Sequence, residues 1–169
     1  MPDRPIKTYC QIIDAYRVAY GNLTGQLSYA NRQVHADLIE NNVTTYLSKL
    51  YGKRPFSDQE ACTLLNALNR TEDAQAVSDY VRLYTALPLL IEELNLPLSF
   101  VHTMTSLPRG QFRRRLESPE LWQPQELAEV FAGLETYSQI LPRFLLDPVR
   151  ATEDLLKQKG SAASADPLP

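Results

Sequence analysis

A chain of 169 residues with 44% apolar residues is long enough for one domain or two small ones and buries a core without disulfides or a metal. It has no run of about 18 apolar residues, and Met1-Pro2-Asp3-Arg4 has no apolar segment behind its charges, so no membrane span and no secretory leader are expected and the expected location is cytoplasmic. A formal net charge of −3 excludes a chain that is basic throughout and coats nucleic acid, but it leaves room for a local basic patch.

Over residues 5–20, Ile6, Tyr9, Cys10, Ile13, Tyr16 and Tyr20 recur with the period of an amphipathic helix. Gly21-Asn22-Leu23-Thr24-Gly25 reads as the turn that ends it. A second, longer helix is expected from Val34, Leu38, Ile39, Val43, Tyr46, Leu47 and Leu50, closed by Gly52 and Pro55, and the two helices are expected to pair antiparallel. Ser57-Asp58-Gln59-Glu60 has the form of a capping box and opens a short helix carrying Ala61, Cys62, Leu64, Leu65 and Leu68.

Thr71-Glu72-Asp73 starts a further run with Ala74, Val77, Tyr80, Val81 and Tyr84 that heads for Leu94. Pro88 is expected to kink or split it, because proline removes a backbone donor and crowds the preceding turn. Ser118-Pro119-Glu120 and Gln123-Pro124-Gln125-Glu126 are two more openings with proline at the first helical position, the second leading through Leu127, Val130, Phe131 and Leu134 to Tyr137. Pro142 and Pro148 punctuate the remainder, with a helical extension expected at 141–159 and a disordered tail, poor in apolar mass, at 160–169. No alternating β-branched run or hairpin dipeptide appears. The expected fold class is therefore all-α: an N-terminal helical bundle over 1–80, then a helix-turn-helix-like helical module over 81–140.

The segment 96–116 carries the strongest functional signal. Pro97 opens a short helix with Val101 and Met104 on its buried face, Ser106-Leu107-Pro108 makes a link, and a second helix starts near Pro108. Phe112 and Leu116 point together into the core. Turning about 100° per residue from Phe112 places Gly110 and Arg114 on the opposite side, Gln111 and Arg113 near that side, and Arg109 and Arg115 on the flanks. Reading a DNA duplex calls for such a face. Planar guanidinium groups pair two donors with guanine edges, flanking arginines neutralise phosphates, and a glycine lets a backbone come close.

The succession of a small apolar helix, a turn, Leu107-Pro108-Arg109, Phe112, Arg114-Arg115-Leu116, Ser118-Pro119-Glu120-Leu121-Trp122 and Pro124-Gln125-Glu126-Leu127 is similar to helix-turn-helix domains of the phage-repressor (lambda-repressor-like) type in bacterial regulators. The likeness covers roughly residues 84–134. It implies a sequence-specific duplex-DNA-binding transcriptional regulator whose second helix enters the major groove. Arg109, Gly110, Gln111, Arg113 and Arg114 would then face bases or phosphates, and Arg115 completes the candidate DNA-binding set. A homodimer formed through the N-terminal helices would place two such helices about 34 Å apart. Three positions depart from the pattern: His102 stands where these domains keep a small residue, Thr105 where they keep an apolar one, and Ser106 where the turn favours glycine.

A second reading uses the same arginine face differently, as the grip of a helical adaptor on an acidic protein partner. Glu117, Glu120, Glu126 and Glu129 lie close enough in sequence to neutralise it, so the arrangement of these acids separates the two readings. Trp122 reads as a core or lid aromatic. His35 and His102 lack partners at metal spacing and read as structural, and no phosphate loop, nucleophile elbow or paired-acid arrangement is present, so neither an enzyme, a metal nor a cofactor is expected. Cys10 and Cys62 sit in apolar helical patterns and read as buried thiols. Tyr9, Tyr16, Tyr20, Tyr29, Tyr46 and Tyr51 crowd the first two helical stretches, either filling a small core or serving an interface.

Overall fold

In the first helical stretch Tyr9, Ile12, Ile13, Tyr16, Ala19 and Leu23 fall on one side at helical spacing, and a helix α1 (Tyr9–Gln26) buries all six. The computed structural model describes residues 7–135, and among these every regular element is helical. The expected continuation to Tyr137, the extension at 141–159 and the tail at 160–169 lie outside the described residues. The glycine-rich segment does not end α1, which runs through Gly21 and Gly25. Each glycine weakens a helix by about 1 kcal/mol, but Leu23 between them is 1% exposed, and its burial contributes about 2 kcal/mol or more.

A single long second helix does not form. Instead α2 (Arg32–Leu38), preceded by a one-turn 3-10 helix at Tyr29–Asn31, is succeeded by α3 (Val43–Leu50). Glu40 takes a left-handed backbone (φ 53°), and Asn41 N–H closes back on the Ala36 carbonyl, which ends α2 in a Schellman-type cap. Asn42 then accepts from Thr45 N–H at 2.7 Å and starts α3. With the stripe broken, Val34 and Leu38 are left exposed rather than buried with Tyr46.

The box at Ser57 caps α4 (Asp58–Ala67) reciprocally, Glu60 N–H donating to Ser57 Oγ and Ser57 N–H to Glu60 Oε2. The next helix, α5 (Thr71–Glu93), passes through Pro88 unsplit. Leu83, Leu87, Leu90 and Ile91 are buried on both sides of the proline, and this packing outweighs the one missing donor. Asn69 and Asn95, both at positive φ, close α4 and α5 as Glu40 closes α2. Three short elements complete the described chain: α6 (Leu98–His102), α7 (Arg109–Glu117) and a one-turn 3-10 helix at Pro119–Leu121, ahead of α8 (Pro124–Glu135).

The chain divides into two compact units, Asp14–Tyr80 and the described parts of Met1–Ile13 and Val81–Pro169. Within the first, the Tyr16 ring stacks on Tyr80 at 3.8 Å and its hydroxyl donates to Asp58 at 2.8 Å. Tyr20 OH donates to the Phe56 carbonyl, and its own burial pushes its pKa up to about 12. His35 is buried and shares a 2.9 Å hydrogen bond with Tyr46 OH, a structural role. Within the second unit, Tyr9 stacks on Phe131 at 5.5 Å and donates to Glu135 at 2.8 Å. The tyrosines thus divide: Tyr9, Tyr16 and Tyr46 are core, whereas Tyr29 and Tyr51 are exposed. Neither cysteine is fully buried. Cys10 is exposed because it lies off the stripe of Tyr9, Ile13 and Tyr16, and the half-buried Cys62 donates its thiol to the Ala74 carbonyl.

The two halves of the chain repeat one another. Helices α7 and α8 begin 66 residues beyond α3 and α4, and the same step relates Tyr46 to Phe112, Phe56 to Trp122, Leu64 to Val130, Leu65 to Phe131 and Leu68 to Leu134. The ring pairs Tyr46–Phe56 and Phe112–Trp122 both stand 6.1 Å apart. Ion pairs recur as well, Lys49 with Glu60 and Arg115 with Glu126. In each half a long helix, α1 or α5, comes first and three shorter ones come after it. The sequence alone did not suggest this repeat.

Gly133 shows how tightly the turn leaving α6 meets α8. A Cβ added there would lie 2.6 Å from both Cβ and Cγ of Met104. Gly133→Ala is expected to destabilise the protein by about 1–3 kcal/mol despite alanine's better helix propensity. Thermal unfolding of Gly133→Ala, Met104→Ala and the double variant checks this: Met104→Ala removes the Cγ and Sδ contacts but keeps Cβ at 2.6 Å, so the double variant should recover only part of the loss.

Candidate nucleic-acid interface

The two helices of the arginine-rich module are set by local chemistry. Pro97 and Pro108 stand at extended backbone angles immediately before α6 and α7, where a missing donor costs nothing. The link between them, residues 103–108, is longer than the three residues expected from the sequence. It is also well tied. His102 Nε2 donates to the Leu107 carbonyl at 2.8 Å, Thr105 Oγ1 donates to the His102 carbonyl, and Ser106 donates through both its N–H and its hydroxyl to Glu129 at 2.9 Å. Bonds from the Ser106 backbone and hydroxyl lower the Glu129 pKa. The three positions that depart from the repressor-like pattern are thus the ones that fasten the turn. The imidazole of His102 fits because it meets Phe112 edge-on, with ring centres 5.4 Å apart.

Phe112 is the inward anchor of α7, 3% exposed and packed against Trp122. Leu116, one turn on, is half-buried. With that side fixed, Arg109, Gly110, Gln111, Arg113 and Arg114 are all exposed. Gly110 is open enough that an added Cβ would touch nothing within 4 Å.

Arg115 is set apart from the other five. Its guanidinium binds Glu126 through two bonds of 2.8 and 3.1 Å, and both side chains are only about one-sixth exposed (17% and 16%). Burial raises the Glu126 carboxyl, but the bonds from Arg115 and from Gln123 N–H outweigh it and hold the pKa below the ordinary value. The Arg115–Glu126 bond in turn raises the Arg115 pKa. This pair fastens α7 to the start of α8 and fixes which way the exposed face looks.

Among the described residues one acid is paired with the exposed face. Glu117 accepts from Arg113 at 3.0 Å, but both side chains are largely exposed, so the pair contributes about 0.5 kcal/mol or less. Arg109 and Arg114 make no ion pair among the described residues. Residues 94–116 contain no Asp or Glu in a chain that has 20 of them, so the exposed face of α7 itself carries three arginines and no acid although the whole chain is acidic.

Beside the face runs an open cleft of about 600 Å³ lined by Leu98, Ser99, His102, Arg109, Gly110, Phe112, Arg113 and Leu116. Sequence reasoning did not single out its α6 wall. The signal was Leu98, an apolar residue on the outward side of α6, which is 54% exposed.

No protein-family model, curated protein or solved structure matches the chain. The function of this site has to be argued from its own geometry.

The Arg115–Glu126 pair sets a pH dependence. Because the folded-state pKa of Glu126 is depressed, its contribution is present above the unfolded value near 4.5 and is lost as pH falls through the folded value. Glu126→Gln is expected to cost about 1–3 kcal/mol at neutral pH. Its melting temperature should also fall less steeply than that of the wild type between about pH 5 and about pH 3, a difference that thermal melts across that range would read.

Proposed function

We propose that this protein is a duplex-DNA-binding regulator that lays α7 in the major groove. The observation that carries this reading is one nine-residue helix that buries Phe112, gives Arg115 to an internal pair, and leaves Arg109, Gly110, Gln111, Arg113 and Arg114 as a continuous exposed face. Arginine and glutamine at such positions supply paired donors for guanine and adenine edges, and unpaired arginines supply phosphate contacts. Arg109 and Arg114 are the phosphate-seeking members because no acid holds them among the described residues. Gln111 and Arg113 have the reach and geometry for base edges.

Fluorescence anisotropy with a pooled random duplex over a salt series tests this. Wild type is expected to bind at low salt, with log K falling linearly against log salt by about 0.9 per phosphate neutralised. Arg109→Ala/Arg114→Ala should lower that slope by about 2 and leave the melting temperature unchanged. Binding with no salt response, or equal binding by wild type and variant, would overturn the reading.

The cleft between α6 and α7 favours one other occupant. Its floor of Leu98, Phe112 and Leu116 with Arg109 and Arg113 at the edge suits an acidic amphipathic segment of a partner protein. In that case Leu98→Asp would abolish partner binding and leave any affinity for duplex DNA intact.

A further inference from the structure

We infer that the first half of the chain carries a second nucleic-acid contact on α3, equivalent to the one on α7, so that a single chain holds two duplex-binding modules in tandem. The inference rests on the reading of α7 as a major-groove helix and extends it to a surface that neither sequence signal nor similarity assigned.

The equivalence is built from geometry. Adding 66 to the bounds of α3 gives the start of α7, and the same step carries α4 onto α8. In both halves the third helix sends one aromatic inward, Tyr46 or Phe112, against a second aromatic in the loop beyond it, Phe56 or Trp122. In both, a cation on its far flank is taken by the N-terminal glutamate of the fourth helix. Lys49 Nζ lies 2.6 Å from each oxygen of Glu60, as Arg115 lies on both oxygens of Glu126. That glutamate also accepts the backbone N–H three residues earlier, from Ser57 in one half and Gln123 in the other. Two helices held from behind at the same points, in the same phase, turn corresponding positions away from that anchor, although all five are exposed on α7 and only Thr44 is exposed on α3.

On α3 Thr44, Thr45 and Ser48 stand where α7 has Gly110, Gln111 and Arg114, while the half-buried Val43 and Leu47 stand where it has Arg109 and Arg113. Thr44 is exposed, and Thr45 and Ser48 are half-buried. Hydroxyls donate to phosphate oxygens and base edges, and a threonine methyl packs on the thymine methyl. The charge that α3 lacks is supplied immediately after it: Lys53 and Arg54 are exposed and make no ion pair among the described residues. Between Glu40 and Asp58 the chain contains three cations and no acid, the counterpart of the acid-free stretch around α7. The acids nearest in sequence are Glu40, just past α2, and Asp58 and Glu60 at the start of α4, of which Asp58 accepts from Tyr16 OH at 2.8 Å and Glu60 holds Lys49. Polar hydroxyls flanked by two cations fit the sugar-phosphate backbone of a duplex, with fewer charges engaged than at α7.

The full chain, titrated by anisotropy against pooled random duplex of about 30 base pairs, enough for two modules a turn or more apart, separates the possibilities. Four proteins are compared: wild type, Lys53→Ala/Arg54→Ala, Thr44→Glu, and Arg109→Ala/Arg114→Ala. Lys53→Ala/Arg54→Ala is expected to lower the salt slope by about 2. Thr44→Glu, which sets a negative charge against phosphate at the exposed position of α3, should weaken binding about tenfold or more, and both should melt at the wild-type temperature. If both N-terminal variants bind as wild type does while Arg109→Ala/Arg114→Ala is weakened, the inference falls and α7 acts alone. If the N-terminal variants are weakened and the α7 variant is not, the contact on α3 stands and the reading of α7 falls. Failure of the wild type to bind at low salt overturns both.

Discussion

A glutamate three residues into a helix does two jobs in this protein, and the placement of both candidate faces depends on it. Glu60 and Glu126 each accept a backbone N–H at the start of their own helix and each hold a cation from the helix before. The first bond satisfies a donor that every helix start leaves open. The second fixes the preceding helix in rotation and in position. A salt bridge in water is worth little because the side chains are free to leave it. Here the cations are about one-sixth exposed or less and the carboxylates are already ordered by their caps, so little entropy is lost in forming the pair.

Behind each pair lies an aromatic couple, and together they leave the third helix one orientation. Tyr46 and Phe112 fill the inward side, and the cation fills the flank. On α7 this leaves positions 109, 110, 111, 113 and 114 outward, and on α3 it leaves Thr44. The chemistry of that outward face is then a matter of composition alone: arginines with a glycine and a glutamine on α7, a threonine hydroxyl with Lys53 and Arg54 beside it on α3. The two halves thus share a scaffold and differ in the surface it carries.

Much of this was legible in the sequence where local chemistry decides it. The box at Ser57, the proline-led openings at Pro97 and Pro124, and the inward pair Phe112 and Leu116 each come from residues within one turn of each other. The breaks between helices were harder to place, because Glu40, Asn69 and Asn95 close helices with left-handed backbones. Such caps are usually sought at glycine, and the glycines that do occur at 21 and 25 sit inside a helix that Leu23 anchors. The repeat was hidden for another reason. Between residues 42–68 and 108–134 the physical roles are kept while identities are few, among them Leu50 with Leu116, Gln59 with Gln125, Glu60 with Glu126 and Leu68 with Leu134. Arg115 could not be told from its neighbours by helical angle, since its partner lies in another helix.

Within α7 the residues that maintain the fold and those that meet solvent are different residues. Phe112 and Arg115 face inward or across to α8, whereas Arg109, Gly110, Gln111, Arg113 and Arg114 touch little of the protein. Substitution at these five positions therefore changes the surface without changing the folded population by much. Mutation can drift there, and selection can keep whatever the new surface happens to recognise.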